Sequence, residues 1–170
     1  MPLLNLWRDA KSAVLDMNIQ QVVGNAGNGR LRDGSDSEHE LRAYLREVPS
    51  DKLEEYAQFC LNNAFEDGGR ALQDIVNELA RRLDFAVENG RYQGTKGSVG
   101  FDGVWRNGEA SALVVEVKTT DTYTIKLETV ERYRSKLAAA GSVHSDATVL
   151  FVVGRSDTGA LEPDSKVHET

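Results

Sequence analysis

Cysteine is almost absent from these 170 residues. Cys60 stands alone, which excludes a disulfide framework and a multi-cysteine zinc site. Histidine is equally sparse. His39, His144 and His168 lie far apart, show no metal-ligand spacing, and leave a serine or cysteine hydrolase without a partner base in the core. No apolar run approaches the ~18–20 residues that cross a bilayer, and Arg8, Asp9 and Lys11 interrupt Met1 to Met17, unlike a secretory signal. The expectation is a cytoplasmic protein with no membrane partner. Also missing are a Gly-Lys-Ser/Thr phosphate loop, a Gly-x-Ser-x-Gly elbow, a His-Glu-x-x-His pair and a dinucleotide fingerprint. There are no repeats and no heptads. Positive charge is in deficit as well, with a net charge of −7, whereas nucleic-acid binders usually carry a basic surface. The deficit is uneven, since residues 67–136 hold equal numbers of acidic and basic side chains and the acid excess lies outside them.

The chain is long enough for one domain or a domain with an appendage. A loose apolar stripe (Leu6, Ala10, Ala13, Val14, Met17, Val22) predicts one helix over Leu3 to Val23. Gly24 to Asp36, rich in Gly, Asn and Asp, reads as a loop. Ser37-Glu38-His39-Glu40 has the form of a capping box opening a helix with Leu41, Tyr44 and Leu45 inward. After Pro49-Ser50-Asp51, a further helix carries Leu53, Tyr56, Cys60 and Leu61, which makes Cys60 a small buried hydrophobe. Residues 1–66 therefore read as a helical region. From 67 onward the order changes to helix (Arg70 to Leu83), strand (Phe85 to Tyr92), strand (Gly100 to Trp105), strand (Ala112 to Thr119), helix (Leu127 to Ala140) and strand (Ala147 to Val153). Asn107-Gly108 predicts a hairpin, and Gly141 stops the second helix. The polar tail after Gly154 leaves room for a longer polypeptide.

The chemistry concentrates in Ala112 to Thr119. This β-branched run places Glu116 and Lys118 two residues apart, on one side of a strand and roughly 6–7 Å apart along it. Leu113, Val115 and Val117 point the other way. A charge inside an apolar strand needs a partner, and Asp102 in the preceding strand is the group within reach. Asp102 followed by Glu116-Val117-Lys118 resembles the Asp…Glu-x-Lys signature of the PD-(D/E)xK nuclease superfamily, with Gly100-Phe101-Asp102-Gly103 in place of the nominal Pro-Asp. The resemblance covers roughly residues 67–154.

That resemblance implies an α/β fold: a restriction-endonuclease-like core at 67–170, with a mixed central sheet flanked by helices and preceded by an N-terminal helical extension at 1–66. It implies Mg²⁺-dependent cleavage of DNA phosphodiester bonds, with Mn²⁺ as a substitute ion, in a restriction or defence system. A DNA repair or junction-resolving nuclease is the alternative setting. Asp102, Glu116 and the Val117 backbone carbonyl would hold the metal, Glu78 would add an outer or second-metal ligand, and Lys118 would orient the attacking water. Lys96 and Arg91 are candidate DNA contacts. Double-strand cutting would call for a homodimer or further subunits. Three other readings stand beside this one. Glu116 and Lys118 form only an ion pair on an edge strand, Asp102 is only a turn residue beside Gly103, or the domain has the nuclease fold but serves as a non-catalytic DNA-binding or assembly module.

Overall fold

The computed structural model describes residues 2–93, 100–108, 111–119 and 127–154. Contacts divide the chain into two compact units, Met1–Asp84 and Phe85–Thr170.

The first unit is helical: α1 (Leu3–Asp9), α2 (Lys11–Leu15), α3 (Ile19–Asn25), α4 (Asp36–Glu47), α5 (Ser50–Asn62) and α6 (Gly68–Arg82). The single helix expected over Leu3 to Val23 is instead three short ones. Ala10 leaves the helical region at φ −144°, and Asn18 starts a new helix through a reciprocal capping box with Gln21. The start of α4 also differs from expectation. Its N-cap is Ser35, whose hydroxyl accepts the Glu38 amide. Ser37 is buried inside the first turn and donates to the Ala26 carbonyl, while Glu40 accepts the amides of Leu3 and Gly27. The cap expected at Ser37 thus lies two residues earlier, at Ser35, because the Ser37 hydroxyl is taken by the Ala26 carbonyl. The core contains Leu3, Trp7, Ile19, Leu41, Leu45, Leu53 and Ile75. The buried Tyr44 and Tyr56 share a 2.6 Å hydroxyl–hydroxyl hydrogen bond, and Cys60 lies among these side chains as a free buried thiol. The apolar spacing of Leu72, Ile75, Val76, Leu79, Ala80 and Leu83 predicts one inward stripe on α6. Leu72, Ile75, Val76 and Ala80 are buried, but Leu83 is 70% exposed. The polar Gln73, Asp74, Asn77 and Glu78 are buried as well, where the helix packs against α5 and α4 in this unit. Among the described residues no helix is long and apolar enough to cross a membrane.

The second unit is an α/β arrangement. Its four strands, β1 (Ala86–Asn89), β2 (Gly103–Asn107), β3 (Ser111–Lys118) and β4 (Thr148–Val153), form an open mixed sheet in the order β1-β2-β3-β4, with α7 (Leu127–Ala139) between β3 and β4. The first two pairings are antiparallel, Asn89 facing Gly103 and Gly103 facing Val115. Gly108 sits at φ +69° in the β2–β3 turn, where the sequence placed it. β3 and β4 are parallel, Glu116 facing Phe151, as a strand–helix–strand crossover allows. Gly141, at φ +70°, ends α7 in a Schellman arrangement: the Ser142 amide reaches the Leu137 carbonyl and the Gly141 amide reaches Ala138. Val104, Ala112, Val114, Leu137, Val143 and Ala147 form the hydrophobic cluster beneath α7. β4, expected to be buried on both faces, is half-buried from Val149 to Val153 and exposed at Thr148.

Candidate functional site

The site is built on β3 because that strand is held on both sides, by β2 and by β4. It is not an edge strand, so the edge-strand ion-pair reading loses its setting. The alternation of β3 puts Glu116 and Lys118 on the side of Val114, which is fully buried. The Lys118 ammonium and a Glu116 carboxylate oxygen are 2.5 Å apart, and their side chains are only 25% and 13% exposed. Such partial burial weakens solvent screening of the pair.

Asp102 bends into the site just before β2. Its amide donates to the Val115 carbonyl at 2.9 Å, and its carboxylate accepts the Val117 amide at 2.7 Å. The carboxylate is thereby anchored at the residue between Glu116 and Lys118. This placement is more specific than that of a turn residue. Burial, followed by the nearby Glu116 carboxylate, pushes the Asp102 carboxyl from 3.8 up to about 6, against the opposing pull of the Val117 amide and the Lys118 ammonium. In a strand a residue's amide and carbonyl point to the same side, so the Val117 carbonyl is directed towards β2, as its amide is.

Glu78 is on α6 in the first unit, 5% exposed, with its carboxylate 3.5 Å from each of the Arg81 and Arg82 guanidiniums. Arg91 is exposed just after β1, and Lys96 lies outside the described residues. Among the described residues no group of three or more His, Cys, Asp or Glu side chains gathers as a metal-binding set. What the second unit offers is two carboxylates, a backbone carbonyl and an ammonium.

Two residues that meet the segment from Gly100 to Asp102 carried no site signal in the sequence. Gly90 continues the β1–β2 pairing, with its amide donating to the Asp102 carbonyl at 3.0 Å. Tyr133, on α7, lies against Gly100, so that a Cβ there would be 3.5 Å from the Tyr133 hydroxyl. Neither approach has a sequence pattern, because each depends on how separate elements meet. Comparison with family models, with curated proteins and with solved structures returned no match.

Proposed function

We propose that the chain is a Mg²⁺-dependent DNA endonuclease with a restriction-endonuclease-like core, acting in a restriction or defence system. The observation that carries this reading is the Asp102 carboxylate held on the Val117 amide, between Glu116 and Lys118. The donors suit a hard divalent cation, which takes carboxylate and carbonyl oxygens. The proton affinity of Asp102 is raised first by burial and then by the nearby Glu116 carboxylate, and a bound cation would oppose both. Asp102, Glu116 and the Val117 carbonyl would hold the ion, which when bound supplies an acidified water and charge neutralisation at the phosphate.

The chain's own residues do the rest. Strand pairing orders Asp102 and Glu116 during folding, so no entropy of assembly is left for the chemical step. Lys118 orients the attacking water and compensates the charge that builds on the phosphate oxygens, a task suited to a compact point cation. Its ammonium is paired with the Glu116 carboxylate, which would be one of the groups holding the ion.

The same Glu116–Lys118 ion pair favours one second reading, a non-catalytic DNA-binding or assembly module in which the pair is structural. Plasmid nicking with Mg²⁺ separates the two. Under the nuclease reading wild type nicks DNA, while Lys118→Ala and Asp102→Ala lose at least about a hundredfold in rate and keep DNA binding. Equal behaviour of all three proteins, alongside a Mg²⁺ titration that shows no binding, rejects the enzyme. DNA binding that ignores the metal then supports the module.

A further inference from the structure

We infer that Gly90 is a positioning residue for Asp102: the absence of a side chain at 90 is what lets the carboxylate reach the Val117 amide. The inference rests on the nuclease reading for its functional meaning. Its geometric content stands apart from that reading.

The point a Cβ of residue 90 would occupy is 1.7 Å from the Phe101 carbonyl oxygen, 2.6 Å from the Phe101 carbonyl carbon and 2.8 Å from that of Asp102. All three are backbone atoms, so no change of rotamer relieves the clash. Gly90 is not one of the glycines with positive φ. The position therefore needs glycine for space and not for its own backbone angles. On one side the segment 101–102 meets Gly90, through the amide-to-carbonyl bond at 3.0 Å. On the other side it meets β3, through the Asp102 amide on Val115 and the Asp102 carboxylate on Val117. Restoring an ordinary contact of about 3 Å or more requires the segment to shift by more than about 1 Å. Ligand geometry tolerates roughly half that. Phe101 packs on the hydrophobic cluster beneath α7, which resists a shift of the whole segment and directs the strain onto the Asp102 contacts.

The test compares Gly90→Ala with Gly100→Ala in the full chain. At Gly100 the nearest described atoms to an added Cβ belong to the Tyr133 side chain, at an ordinary 3.5 Å. Amide hydrogen exchange at Val117 is read against Val114, and Mn²⁺ binding and the Mg²⁺ concentration for half-maximal nicking are measured in parallel. Gly90→Ala should exchange at Val117 at least about tenfold faster while Val114 stays protected, and should need about tenfold more metal. Gly100→Ala should match wild type in both. If Gly90→Ala is unstable, the same readings are made in the cold with trimethylamine N-oxide, which favours the compact state. A folded Gly90→Ala with Val117 still protected overturns the inference, as does loss of protection across the sheet in one step. A wild type that neither binds Mn²⁺ nor nicks DNA removes the nuclease reading, and the exchange comparison still decides whether Gly90 sets Asp102.

Discussion

Ionised Asp102 costs the metal-free protein stability, and Asp102→Asn should recover it. The carboxyl is raised from 3.8 to about 6 by burial and by Glu116. Because the folded value lies above the unfolded one, the group's contribution to stability is fully present below the unfolded value and is lost as pH rises through the folded one. At 1.36 kcal/mol per unit, the loss by neutral pH is about 3 kcal/mol. Asparagine keeps an acceptor oxygen for the Val117 amide, which carboxylate Oδ2 now takes at 2.7 Å, and removes the charge. Thermal melting of both proteins from acid to neutral pH is the assay. Near neutral pH the variant should melt several degrees higher. Wild type should lose stability between about pH 4 and pH 6, and the variant should lose less over that range. Mg²⁺ should raise the melting temperature of wild type and leave Asp102→Asn where it was. A variant no more stable than wild type near neutrality, with the same dependence on pH, would refute the account of a strained, charge-crowded carboxylate.

The helical unit offers two further checks. Tyr44→Phe leaves the Tyr56 hydroxyl without its 2.6 Å partner and should cost about 1–3 kcal/mol in urea unfolding, while the double Tyr44→Phe, Tyr56→Phe protein should lose less than the sum of the single changes. Arg82 donates to the carbonyls of Leu45 and Val48, at 2.9 and 2.6 Å, and to the Ser50 hydroxyl at 2.7 Å. It thus ties off the end of α4, and Arg82→Ala should cost about 2–3 kcal/mol by the same measurement, whereas Arg82→Lys should recover only part of it.

Residues of short-range pattern were read well. The Asn107-Gly108 hairpin, the Gly141 stop and the order of elements from β1 to β4 are legible because burial period and turn chemistry act over a few neighbours. The N-terminal region was read less well. A weak stripe ran across Ala10 and Asn18, and only the capping box between Asn18 and Gln21 separated α2 from α3. The cap expected at Ser37 is displaced to Ser35 because the Ser37 hydroxyl donates to the Ala26 carbonyl.

The candidate site divides along the same line. Alternation along one strand already puts Glu116 and Lys118 side by side, a matter of backbone geometry within eight residues. Where Asp102 goes is set by pairing between strands. Its anchoring on Val117, its crowding against Glu116 and the room left by Gly90 all follow from a register that closes over more than ten intervening residues. Local sequence carries no record of such contacts, because they form only when separate segments bury their apolar faces together.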